Sequence, residues 1–183
     1  MFRLWSAVLF LFVISIHVAS ASDIDDRLKA QLLALGFPNG TLPVLVPAFG
    51  NYVDSVQVGK LLYLSSAAPQ TPAGTFVKGR VPDEVDVDDA ITAAKFACVR
   101  QVNRMKAALG DLNRVKKIVY ISGKIQTQPD FINHTVIVDG CSAFLVNVFG
   151  TEVGTHARTV AGMASLSLNV TLEVETIVEV KCK

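Results

Sequence analysis

An α+β fold, with one sheet carrying two helices on one face, is predicted by three features of the sequence. Two long stretches, residues 91–109 and 137–149, repeat apolar side chains at steps of three and four, the period of a helix. Shorter runs rich in Val, Ile, Leu and Tyr flank them and are punctuated by Gly, Pro, Asn and Asp, as strands are. The resulting order is hairpin, helix, strand, helix, strand, strand. Two helices among the strands of one 183-residue chain are enough to cover one side of a single sheet.

The chain begins with Met1-Phe2-Arg3, an almost unbroken apolar run from Leu4 to Ile16, and small residues ending Ala19-Ser20-Ala21. A positive start, an apolar core shorter than the ~20 residues of a spanning helix, and an Ala-x-Ala site describe a secretory signal peptide. Residues 1–21 are expected to be removed, leaving no membrane attachment. Ser22-Asp23-Ile24-Asp25-Asp26 offers a cap and first-turn acids. Ile24, Leu28, Gln31, Leu32 and Leu35 then form a helical stripe that Gly36 and Pro38 terminate. Residues 22–49 are read as this helix and a Pro- and Gly-rich linker, docked on a main domain at 50–183.

Within that domain, residues 52–58 and 61–67 are joined by Gly59-Lys60 and read as a hairpin. Residues 77–80 suggest a short further strand. Asp86 or Asp88 caps a helix whose stripe is Ile91, Ala94, Cys98, Val102, Met105 and Leu109, closed by Gly110. Lys95, Arg104 and Lys106 are assigned to its solvent face. Residues 115–127 alternate as a strand: Ile118, Tyr120, Ser122, Lys124 and Gln126 against Val119, Ile121 and Ile125. The second helix carries Ile137, Cys141, Leu145 and Val148 and ends at Gly150. Residues 156–168 and 170–180 are the closing strands.

Several strands are apolar at both parities. Leu61-Leu62-Tyr63-Leu64 is one, and in the last strand Val174, Thr176 and Val178 are set against Leu172 and Ile177. Helices sufficient for one face leave the other to be covered by further copies of the chain, so a homo-oligomer is expected.

Charge narrows the function. Seventeen Lys and Arg against sixteen Asp and Glu give a net charge of +1, and signal removal takes away Arg3 and no acid. So balanced a chain argues against nucleic acid as a partner, because phosphate neutralisation needs a concentrated cationic surface. His17, His134 and His156 are scattered and the cysteines unpaired in spacing, so no metal site is expected. Neither a phosphate loop nor a nucleophile elbow is present. Arg158 remains, a basic group inside an apolar run, together with Glu173 and Glu175 in the last strand. An Arg so placed needs a carboxylate, supplied either by a neighbouring strand or by a ligand.

Asn39-Gly40-Thr41, Asn133-His134-Thr135 and Asn169-Val170-Thr171 are glycosylation sequons and suit a secreted or lumenal protein. Cys98, Cys141 and Cys182 allow one disulfide in an oxidising compartment. Cys98 and Cys141, both in helical stripes, are read instead as small buried apolar residues.

The run Gly50-Asn51-Tyr52-Val53, the strand end Leu64-Ser65-Ser66-Ala67-Ala68-Pro69, Ala107-Ala108-Leu109-Gly110-Asp111-Leu112 and Pro129-Asp130-Phe131 together resemble the YjgF/RidA family of reactive-intermediate deaminases, also called endoribonuclease L-PSP-like proteins. The strongest likeness is His156-Ala157-Arg158-Thr159 followed by Val170-Thr171-Leu172-Glu173-Val174-Glu175. The resemblance covers residues 50–180 in order. It implies a chorismate-mutase-like fold and a homotrimer with ligand pockets in clefts between subunits. It also implies that Arg158 clamps a substrate carboxylate, Glu173 helps to place the attacking water, Tyr52 lines the pocket, and Ser65 and Ser66 form its wall. The expected function is binding of a small carboxylate with hydrolysis of imine or enamine intermediates, a reaction requiring no cofactor. The alternative is a non-catalytic ligand-binding or interaction protein on the same scaffold. The sequence departs from the family where Ser-Gly-Gln becomes Ser65-Ser66-Ala67, where His156 replaces a Pro, and where Val160 replaces a Cys.

Overall fold

The computed structural model describes residues 23–182, so the expected signal peptide lies outside the described residues. The elements are α1 (Ile24–Ala34), β1 (Ser55–Val58), β2 (Leu61–Ala67), α2 (Val87–Leu109), β3 (Val115–Gln126), α3 (His134–Gly154), β4 (Ala157–Met163) and β5 (Leu172–Val180). They form one mixed five-stranded sheet in the order β1-β2-β5-β3-β4. Only β3 and β4 run parallel, joined by α3 as the crossover helix that a parallel pair requires. The expected α+β architecture is the one observed, with α1 as a third helix lying along α3.

Local chemistry accounts for the helix limits. The Asp86 carboxylate accepts the Asp89 N–H at 2.8 Å and starts α2. Gly110, at φ +76°, ends it in a conformation that a residue with a Cβ resists. In α3 the regular helix breaks at Gly150, where the sequence places its end, and one further turn reaches Gly154. Residues 77–80 make only isolated bridges, such as Lys78 with Val170, and not a strand.

The core lies between the helices and the sheet. Leu172, Val174, Thr176, Val178 and Val180 face the helices with almost no exposure, while Glu173, Glu175, Ile177 and Glu179 look away. Leu172 thus sides with Val174, two residues on, rather than with Ile177. Each buried Val or Leu contributes about 1.5–3 kcal/mol, so this face of β5 specifies its register strongly. In β3 simple alternation fails. The pairing with β5 shifts between Ile118 and Tyr120, and this bulge turns both Ile118 and Ile121 into the core. Away from the helices, Val56, Tyr63 and Val119 are exposed.

Helices α2 and α3 approach closely because Gly140 has no side chain; a Cβ there would collide with the Ile91 carbonyl oxygen. That approach brings the Cα atoms of Cys98 and Cys141 to 5.4 Å, within disulfide range, and the two are bonded. The two separate buried thiols expected from the helical stripes are thus replaced by a disulfide. Both cysteines are buried, but as a bridge and not as two thiols. Their stripes face each other across the Gly140 contact, which helical periodicity in each helix alone does not reveal. Cys182 is free and exposed.

Candidate functional site

A bulge in β2 organises the candidate site. Pairing of β2 with β5 slips between Leu64 and Ala67, so Ser65 and Ser66 leave the regular ladder. Their carbonyls are taken by α2: Arg104 Nη1 donates to Ser65 O at 2.6 Å and Ser66 O at 2.9 Å. Gln101 Nε2 donates to Ser65 O at 3.0 Å and also to Val174 O. The other end of the Arg104 guanidinium pairs with Asp54 at 2.8 Å, while Ser65 Oγ donates to Val53 O at 2.7 Å. These contacts hold the segment entering β1, and with it Tyr52, against the β2 bulge.

A cavity of about 450 Å³ opens beside this anchor. Tyr52, Ser66 and Glu173 line it, together with Arg100 and Arg104 of α2, and Phe49 and Phe76 supply apolar wall. Ser66 Oγ donates to Glu173 Oε2 at 3.2 Å. Glu173 makes no ion pair among the described residues, whereas Glu175 is paired with Lys124 at 2.6 Å and Glu179 with Lys116 at 2.8 Å. A carboxylate oriented by a hydroxyl and left without a cation can accept a proton or orient a water. A second hollow, about 430 Å³, shares Tyr52 and Ser66, adds Ser65, and spreads over the open sheet face beside Tyr63, Tyr120 and Glu175.

Tyr52, Ser65, Ser66 and Glu173 are therefore neighbours, as the resemblance implies. Arg158 is not among them within one chain. It points from β4 toward α3, where Nη1 donates to Asp139 Oδ1 at 2.6 Å and Ser142 Oγ at 3.0 Å. The carboxylate that Arg158 needs thus comes from a helix, not from a Glu on a neighbouring strand. His156 completes the group. Its Nδ1 donates to Gly154 O at 2.6 Å, which leaves Nε2 to accept from Ser142 Oγ at 3.1 Å. Burial, reinforced by the charges of Arg158 and Lys117 against the opposing Gly154 hydrogen bond, lowers the His156 pKa from its ordinary 6.5.

Two arginines escape the sequence reading. Arg104, assigned to solvent, is buried, and Arg100 is only 3% exposed. They sit one turn apart on α2, and their long side chains reach the carbonyls of Ser65, Ser66 and Ala68 at the end of β2. The available signal was their i, i+4 spacing beside the interior Gln101. Arg100 Nη1 donates to Ala68 O at 3.1 Å, its guanidinium lies 5.2 Å from the Phe76 ring centre, and its buried Nε has no partner. Burial and the adjacent Arg104 charge hold its pKa below the ordinary arginine range, against the weaker opposing pull of Asp54.

Asn39, Asn133 and Asn169 all lie on the surface. Asn169 Oδ1 accepts from Gln126 Nε2 at 2.6 Å, and Asn169 follows Leu168 at the cavity rim. Among the described residues no cluster of three His, Cys, Asp or Glu side chains is arranged to hold a metal ion.

Comparison with known proteins accords with this architecture. Residues 29–180 match the family model described as "YjgF/chorismate mutase-like, putative endoribonuclease". The chain is 34% identical over 153 residues to Protein TCP17 of Trypanosoma cruzi, covering 84% of this chain and 94% of that protein. Among solved structures, protein Atu1372 of Agrobacterium tumefaciens, of unknown function, is 35% identical with a TM-score of 0.75, over 86% of this chain and 96% of its own. A "putative endoribonuclease" of Shewanella oneidensis MR-1 is 28% identical with a TM-score of 0.78, over 87% and 100%. A sheet with its helices on one side, a bulged β2 beside Glu173, and this family match together place the chain in the YjgF/chorismate mutase-like family.

Proposed function

We propose that the protein is a secreted or lumenal homotrimer that binds a small carboxylate in clefts between subunits and hydrolyses imine or enamine intermediates there. The observation that carries the reading is Glu173, oriented by Ser66 and in no ion pair among the described residues, in a cavity shared with Tyr52. A 2-imino acid is already electrophilic at its C=N carbon. Water placed by Glu173 adds to that carbon, the proton passes to nitrogen, and ammonia leaves as the 2-oxo acid forms. Orientation and one proton transfer supply most of the effect. Arg158 of an adjoining subunit would hold the carboxylate by a charge-assisted pair. The open sheet face with Tyr63 and Val119 supports assembly. The Cys98–Cys141 bridge and the surface position of the three sequons support an oxidising, secretory compartment.

The test is hydrolysis of 2-iminopropionate by the wild type, Arg158→Ala and Glu173→Gln. Wild-type turnover that falls about 100-fold or more in either variant is expected; equal rates at background overturn the hydrolase. Sedimentation as a monomer removes the cleft. A second reading, ligand binding without turnover, is favoured by one observation: within a chain Arg158 is held by Asp139 on the helix side, whereas Glu173 faces away from the helices. Carboxylate binding without ammonia release distinguishes it.

A further inference from the structure

Arg100 is the one guanidinium in the Glu173 cavity that has no carboxylate of its own. Arg104 beside it is neutralised by Asp54 and spends its donors on Ser65 and Ser66. Arg100 makes a single hydrogen bond, to Ala68 O, and no ion pair among the described residues, although it is 97% buried. A buried cation without a counter-charge costs stability that hydrophobic replacement would recover. Such a group persists most simply where something anionic meets it.

The surroundings define what that is. The guanidinium plane rests near the Phe76 ring, and Phe49 meets Phe76 edge-on with ring centres 6.0 Å apart. Tyr52 and Leu168 complete an apolar wall, and the volume of about 450 Å³ suits an organic molecule better than an inorganic ion. Glu173 on the same lining disfavours a second negative charge on the ligand. We infer that this cavity binds a flat organic monoanion, its carboxylate on Arg100 and its apolar body against Phe49, Phe76 and Tyr52. The inference deepens the carboxylate-binding reading, rests on it only for the ligand class, and assigns the anion a partner inside one subunit.

The test is calorimetric titration of the purified protein with benzoate and with benzamide, its neutral counterpart. Wild type should bind benzoate saturably and benzamide at least about tenfold more weakly, since one charge-assisted pair separates them. Arg100→Met should lose about 10- to 100-fold in benzoate affinity while its ligand-free Tm stays level or rises, as relief of a buried charge requires. Arg100→Lys keeps the charge and should show an intermediate loss, because the planar fork is gone. Cys182→Ala, at an exposed thiol outside the cavity lining, should bind benzoate as wild type does. No benzoate binding by wild type, equal binding of benzamide, or unchanged affinity in Arg100→Met overturns the proposal. Binding that depends on Arg100 without imine turnover removes only the hydrolase reading. Turnover that depends on Arg158, with benzoate indifferent to Arg100, removes only this one.

Discussion

Arg158 and Asp139 form an ion pair with a 2.6 Å contact in which the arginine is mostly covered and the aspartate is 61% exposed. The asymmetry makes Asp139 a replaceable occupant of the guanidinium. An exposed pair is worth only about 0–1 kcal/mol, so a well-placed ligand carboxylate can displace it. Asp139→Asn is therefore expected to strengthen carboxylate binding at Arg158 by about two- to fivefold, with little change in Tm. Titration with pyruvate in the Arg100→Met background checks this, and an unchanged affinity would show that Arg158 is a structural residue.

Cys98 and Cys141 close a loop of 43 residues between the two core helices. Restricting such a loop in the unfolded chain is worth roughly 2–4 kcal/mol. The Cys98→Ala/Cys141→Ala double variant should lose that much in urea unfolding, and reductant should lower the wild-type Tm but not the variant's. Cys182→Ala, at an exposed thiol, should change neither.

His156 is held neutral by burial, with a pKa below 6.5. The unfolded chain therefore binds a proton first as the pH falls. Its contribution to stability is intact above the unfolded value near 6.5 and is lost as pH drops from there toward the folded pKa. Unfolding midpoints measured from pH 7.5 to 5 should decline more steeply for wild type than for His156→Gln. Equal slopes would mean that burial does not hold the ring neutral.

Gly140 marks a close approach between α2 and α3. A methyl there must push against the Ile91 backbone, which cannot rotate away. Gly140→Ala should destabilise by about 1–3 kcal/mol despite alanine's better helix propensity, the cost of overpacking. By contrast, an added Cβ at Gly59 meets nothing within 4 Å, so a loss there would come only from its φ of +59°. Denaturant unfolding of the two variants separates steric from conformational cost.

Much of the fold was legible because its signals are local. Asp86, Gly110 and Gly150 mark helix ends by their own chemistry, and the β-rich run of β5 marks a strand, although Leu172 joins Val174 on the core face and not Ile177. The β3 bulge was not legible. Ile118 and Ile121 share a side only because β5 slips its pairing between them. In the site, Tyr52, Ser65, Ser66 and Glu173 came from resemblance and are neighbours in space. Arg104 was misassigned because a long side chain at the margin of a helical stripe can turn either way, and only the two bulge carbonyls decide which.

The sequence by itself determined the class of fold, the order of its elements, the apolar faces that must meet, and the presence of one arginine in an apolar strand. Periodicity and capping act over a few residues, so one dimension contains them. Tertiary structure decided which charges stand alone. Asp139 reaches Arg158 from 19 residues away and Asp54 reaches Arg104 from the segment entering β1, so Arg100 and Glu173 are left lining a cavity without ion pairs among the described residues. Coulomb interactions and desolvation depend on distance and burial in three dimensions, and neither is written in spacing along a chain.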